Sequence, residues 1–232
     1  ICPATLPLAA IGRLCHAHGA LFAVDAAQSA GILDINMEEM QIDALAVPGH
    51  KGLYGPMGVG MLLLGKGIRP DTLLEGGNGL DSLSGGMGDD LPERYEPGTL
   101  PLPAIAGLRA GIEFVRRVTP EAIREKETAL GVFLRDALTE LPGIHVAVPH
   151  LAGGTVLFRA DGVSSEDIAA RLDAAGSGIC VRPGFHCAAL AHRTLGTPEG
   201  GAVRASFGWF NTRRDAEQLI QSLRGGLPGR NG

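Results

Sequence analysis

Three short apolar runs, at residues 21–25, 43–47 and 59–64, constrain this chain more than any other feature. Each is bounded by Gly, Pro or Asp, and apolar runs this short read as strands buried on both faces. Ahead of the first run, Ile11, Leu14, Cys15 and His18 recur at helical spacing over 8–18. Gly19 then stands where a left-handed residue closes a helix. Strands alternating with helices predict an α/β unit built on a mostly parallel sheet.

Residues 65–102 are rich in Gly, Pro, Asp and Ser and show little periodicity, which predicts a long functional loop region. Pro103 fits the first turn of a helix with Ile105, Leu108, Ile112 and Val115 on one stripe. Thr119-Pro120 restarts a second helix carrying Ile123, Leu130, Phe133, Leu134, Ala137 and Leu141. A smaller α+β domain is expected to follow. Its strands lie near 144–148, 155–159, Ile179 and 203–207, with a helix over 166–175 and a last helix opened by the capping pair Thr212 and Asp215. The expected division is 1–103 for the later part of a large α/β domain and 104–232 for the small domain.

A chain of 232 residues with net charge −5 and no stripe of Lys or Arg is a poor match for a phosphate backbone, so nucleic acid is not an expected partner. No apolar stretch approaches the roughly 18 residues a membrane-spanning helix needs. The four cysteines, at 2, 15, 180 and 187, form no C-x-x-C pair and no disulfide framework. Free thiols in a reducing, cytoplasmic setting are expected. The chain opens on Ile1 with an apolar segment close behind, which reads as a protein whose beginning is missing.

The chemistry gathers where strands end. Ligands of open α/β sheets sit outside the carboxyl ends of the strands, and both Asp25 and His50-Lys51 fall just past such ends. An acid and a lysine so placed suit pyridoxal phosphate: the amine carries the cofactor and the carboxylate keeps the pyridine nitrogen protonated. Gln28 can donate to the ring oxygen, and His50 can touch the phosphate. Singly, a strand-end Asp is more often a turn residue and a Lys after glycine is usually solvated. The combination of Val24-Asp25-Ala26-Ala27-Gln28 with Gly49-His50-Lys51-Gly52 and Gly55-Pro56 is harder to explain by structure alone.

With these motifs the chain resembles the class V aminotransferases, which share the type I fold of pyridoxal-phosphate enzymes, and among them the cysteine desulfurase-like proteins. The likeness extends from Ile11-Gly12 to Asn211-Thr212. It implies cofactor-binding roles for Lys51, Asp25, Gln28 and His50. It also implies that Thr99, in Tyr95-Glu96-Pro97-Gly98-Thr99, reaches the cofactor phosphate of a second subunit, hence a homodimer with shared active sites. Two departures stand out. Pro48 replaces a serine whose hydroxyl contacts the phosphate in many relatives. The family's early segment, with its phosphate loop and ring-stacking aromatic residue, is absent.

A second motif, Val181-Arg182-Pro183-Gly184-Phe185-His186-Cys187-Ala188, resembles the loop that carries the nucleophilic cysteine of desulfurases. Cations such as Arg182 or a protonated His186 would raise the thiolate fraction of Cys187. A free cysteine is more often a small buried hydrophobe, but this one sits in a Gly- and Pro-bounded loop beside Arg and His. Arg204, before Phe210-Asn211-Thr212, resembles the family arginine that grips the substrate carboxylate, with Arg182 assisting. Without the likeness Arg204 would read as a surface ion-pair residue. Cys180, His186, Cys187 and His192 are metal-ligand types, but their spacing matches no usual pattern and Cys180 is expected to point inward, so no metal is expected.

The resemblance thus implies conversion of L-cysteine to L-alanine with a persulfide on Cys187, passed on to a sulfur-acceptor protein. Transamination, or lysis of selenocysteine, is the enzymatic alternative. An inactive fragment lacking the early cofactor-binding segment is the other.

Overall fold

The computed structural model describes residues 1–79, 85–174, 178–197 and 200–225. The chain divides into two compact units, Pro7–Pro120 and Ile1–Leu6 together with Glu121–Gly232.

In the first unit, helix α1 (Leu8–Ala17) precedes strands β1 (Ala23–Asp25), β2 (Ala44–Pro48) and β3 (Gly60–Leu64). Gly19 adopts φ 65°, the left-handed geometry its position predicted. β1 pairs with β2 in parallel, and β3 joins the other edge of β2 antiparallel. An antiparallel strand beside parallel ones is common in α/β sheets. Residues 65–101 hold no strand or α-helix among those described, only a 3-10 turn at Glu93–Tyr95.

One face of this sheet is covered. Leu45 and Val47 are buried with Ala26, Ile42, Leu53 and Leu108, the last from helix α2 (Leu102–Val118). The other face carries Ala23, Asp25, Ala46 and Leu62, all exposed. Strands buried on both faces are the expectation, and it holds for none of the three. Leu62 keeps 55% of its surface.

Helix α2 belongs to this unit, which moves the division from 103/104 to 120/121. The reason is packing. Leu108 joins the sheet core, and a methyl on Gly111 would run into the Leu53 carbonyl, so the helix backbone lies directly on the loop after β2.

The second unit begins with helix α3 (Pro120–Thr139), whose first turn starts at the predicted proline. Strands β4 (Ile144–Val146), β5 (Thr155–Ala160) and β6 (Val203–Ser206) form an antiparallel sheet in the order β4-β5-β6. Helices α4 (Ser165–Ala174), α5 (Ala189–Thr194) and α6 (Arg213–Arg224) complete it. Leu134 and Leu138 of α3, Ile168 and Leu172 of α4, and Leu219, Ile220 and Leu223 of α6 pack on Val156, Phe158 and Val203. Thr212 N–H donates to Asp215 Oδ2 at 2.8 Å, as the capping pair predicted.

The strand expected near Ile179 does not form. Residues 178–181 have no regular structure, and pairing is confined to one bridge between Arg182 and Arg204. Pro183 has no N–H to continue a ladder, and Gly184 turns away at φ 88°. Without strand alternation Cys180 is exposed rather than interior. The last residue of the helix expected over 166–175, Ala175, lies outside the described residues.

Burial pushes the Glu127 carboxyl of α3 up to about 7. Its folded value stands above the unfolded value of 4.5, so the proton it keeps stabilises the fold at low pH, and that stability is lost as pH rises toward 7. Glu127→Gln keeps the shape without the charge. The variant should unfold at a higher temperature than wild type at pH 8 and at the same temperature below about pH 4.5, where both forms are neutral.

Candidate functional site

In the first unit, β1 and β2 run parallel and end together: Asp25, the last residue of β1, is in register with Ala46, and β2 stops at Pro48. The segments after the two strands therefore leave the same edge of the sheet. One carries Asp25 and Gln28, the other His50 and Lys51. All four side chains are exposed. Asp25 Oδ1 accepts the Ala27 N–H at 2.8 Å, which closes a tight turn and aims the carboxylate along the strand end.

The two segments touch backbone to backbone. A methyl on Gly31 would strike the Gly52 carbonyl, and one on Gly52 would strike the Ala30 carbonyl. Only glycine at 52 lets the Lys51 turn lie against the chain that follows Asp25. That turn is fastened from within: Tyr54 N–H donates to the Lys51 carbonyl at 2.9 Å and Gly55 N–H to the Gly49 carbonyl at 2.8 Å. Beneath it, Tyr54 meets Phe114 edge-to-face with ring centroids 5.1 Å apart. Gly107 and Gly111, two glycines inside a strong helical pattern, are the sequence signal for this close backbone approach. Thr99 follows Gly98, whose φ is 84°, and is exposed.

In the second unit, Arg182 and Arg204 pair through their main chains, with N–H to carbonyl distances of 3.0 and 2.8 Å. Residues paired across antiparallel backbone project to the same side. Arg204 is in register with Leu157, so both arginines lie on the face opposite Val156 and Phe158, away from the helix-packed core. Arg204 Nε is buried and, among the described residues, has no partner. Burial and the neighbouring Arg182 lower the Arg204 pKa, a mark of cations that lack an anion.

Cys187 is exposed in the loop between that bridge and α5, and Arg182 Nη2 lies 4.0 Å from its sulfur. The loop is anchored behind: Gly184 N–H donates to Ser165 Oγ at 3.2 Å, Ser165 Oγ donates to the Gly200 carbonyl at 2.8 Å, and Gly201 packs on the Gly184 carbonyl. His186 Nε2 donates to the Arg182 carbonyl at 2.8 Å. Burial holds its imidazole below the usual histidine range, so near neutral pH His186 is uncharged. The positive charge beside Cys187 comes from the arginines, not from a protonated His186. His192, fully buried, contacts His186 and Thr197, a placement that no local sequence pattern signals.

The model of the family described as Aminotransferase class-V matches residues 4–219. A protein named probable cysteine desulfurase from Methanothermobacter thermautotrophicus is 35% identical over 219 residues, covering 92% of this chain and 54% of that protein. Another of the same name, from Halalkalibacterium halodurans, is 34% identical and covers 94% and 53%. Among solved structures, the cysteine desulfurase CsdA from Escherichia coli superposes with a TM-score of 0.87 at 27% identity, covering 97% of this chain and 56% of that one. The apo cysteine desulfurase from Thermococcus onnurineus gives 0.81 at 32%, covering 96% and 56%. The chain spans about half the length of the curated relatives it matches. Among the described residues, no helix is long and apolar enough to cross a membrane.

Proposed function

We propose, for a chain that belongs to the class V aminotransferase family, that the protein converts L-cysteine to L-alanine and leaves the sulfur on Cys187 as a persulfide. The observation that carries this reading is the thiol of Cys187 exposed beside two arginines, one of them with a buried, unpartnered Nε. That set suits a small amino acid: the fork of Arg204 for its carboxylate, Arg182 at its flank, and a sulfur nucleophile within the same loop. Transamination needs no such thiol.

The family is one of pyridoxal-phosphate enzymes, and the unit Pro7–Pro120 carries an amine, a carboxylate, an amide and an imidazole of the kinds that hold that group. A carboxylate and an amine leave the same sheet edge on segments in direct backbone contact, which supports the fit. When bound, the cofactor supplies an electron sink for the substrate's α-carbon. Lys51 would carry it and move the α-proton, Asp25 would hold a proton at the ring nitrogen, Gln28 would donate to the ring oxygen, and His50 would contact the phosphate. Pro48, with neither hydroxyl nor N–H, adds nothing there. The exposed Thr99 would reach the cofactor of a second subunit, making a homodimer.

Sulfur transfer balances simply. The Cys187 thiolate attacks the substrate sulfur, a sulfur–sulfur bond forms, the substrate carbon–sulfur bond breaks, and the carbon keeps the electron pair and takes up a proton as alanine forms. A thiolate of a sulfur-acceptor protein would then attack the outer sulfur, forming a persulfide on the acceptor as the bond to Cys187 breaks and Cys187 leaves as a thiolate. The cytoplasm, where thiols stay reduced, is the compartment that suits four free cysteines.

The protein supplied with pyridoxal phosphate and L-cysteine should form alanine and a persulfide on the Cys187 peptide. Appearance of the amino group on an added keto acid instead would assign transamination. Arg204→Gln should raise KM for cysteine by roughly ten- to a hundredfold, the worth of a lost charge-assisted carboxylate contact. An unchanged KM would remove Arg204 from the substrate site.

A further inference from the structure

We propose that His192 and Thr197 are positioning residues for Cys187: they fix the ring of His186 in one tautomer and thereby hold the loop that presents the thiol. This deepens the desulfurase reading and rests on it for its purpose, though not for its geometry.

Hydrogen-bond polarity through the cluster is determined at one end. The Arg182 carbonyl can only accept, so His186 Nε2, 2.8 Å away, carries a proton. Arg204, His192 and the Ile1 amino group face this ring, and with burial they favour its neutral form against the pull of the Arg182 carbonyl. Neutral His186 therefore has a bare Nδ1. His192 Nε2, at 3.2 Å, must donate to it. In a neutral His192 this leaves Nδ1 to accept, and Thr197 Oγ1–H, 2.7 Å from Nδ1 but 3.5 Å from the His192 carbonyl, donates to the nearer atom. With both rings neutral, this arrangement satisfies every polar atom of the fully buried His192 imidazole.

The cluster is also packed. The rings of His186 and His192 stack with centroids 5.3 Å apart at 26°, and Phe185 meets His192 edge-on at 5.4 Å. What this holds is an unfavourable backbone. His186 and Cys187 have φ of 53° and 60°, two consecutive left-handed residues without a glycine, a geometry that persists only where the surroundings enforce it. The Arg182 carbonyl ties the relay to the opposite end of the loop, so the thiol stays beside the Arg182 side chain.

The test uses the whole chain without substrate or cofactor. In protein labelled with ¹⁵N-histidine, the His186 ring should show a protonated Nε2 and a bare Nδ1. Thr197→Val, nearly the same volume without the hydroxyl, should give mixed tautomers. Iodoacetamide labelling of Cys187 relative to the exposed Cys180, read peptide by peptide, should fall about fivefold, the population effect of one net hydrogen bond. Thr197→Ser should restore both readouts. A valine variant that keeps the wild-type tautomer and labelling ratio overturns the proposal, as does a serine variant that fails like valine. Should Thr197→Val not fold, the wild-type spectrum decides alone: a protonated Nδ1 on neutral His186 overturns it. Alanine formation is independent of these measurements, so failure of the desulfurase reading and failure of the relay are separable.

Discussion

Cys187→Ser should stop sulfur transfer while leaving the fold intact, with alanine formation from L-cysteine falling on the order of a thousandfold or more. The fold should tolerate the change because the side chain is exposed and joins neither core cluster. Serine keeps the size, the loop geometry and the Arg182 neighbour. What it loses is a polarisable thiolate, since a hydroxyl is scarcely ionised near neutral pH and attacks sulfur poorly. Unfolding temperature should match wild type, and the Cys187 peptide should carry no persulfide. Alanine formation at the wild-type rate by the serine variant would take the nucleophile role away from this residue.

Lys51→Ala should abolish the visible absorbance that pyridoxal phosphate gains on binding, and with it turnover, again by on the order of a thousandfold. Here too the expected loss is chemical. The Lys51 side chain is exposed, and the bond that shapes its turn is a main-chain one, Tyr54 N–H to the Lys51 carbonyl, which alanine retains. Lys51→Arg is the sharper comparison. It preserves the charge but cannot condense with an aldehyde, so it should fail equally. Cofactor absorbance that survives in both variants would exclude Lys51 as the attachment point.

Glycine substitutions at the contact between the two strand-end segments separate structure from chemistry. Gly52 has no room for a methyl because the Ala30 carbonyl occupies the space, so the position of Lys51 depends on a residue with no chemistry of its own. The same holds for Gly201 against Gly184 behind the Cys187 loop. In both places close backbone approach brings functional side chains to their stations.

Most of the local structure was legible in the sequence because it rests on short-range physics. The helix carrying Leu108, Ile112 and Val115 on its packed side, the left-handed Gly19 and the pair Thr212 and Asp215 each involve residues a few positions apart and appear as expected, whereas Ile105 of the same stripe is exposed. Asp25, Lys51 and Cys187 pointed to a chemistry only in combination and through the family resemblance, since each taken singly has a structural reading. Tertiary structure alone decided which carbonyl meets which N–H across long separations. It turned β3 antiparallel, reduced the strand near Ile179 to the Arg182–Arg204 bridge, left Cys180 exposed, joined α2 to the first unit and brought Thr197 to His192. Those outcomes depend on the packing of whole elements and on the need to pair every buried polar group, and no window of neighbouring residues encodes either.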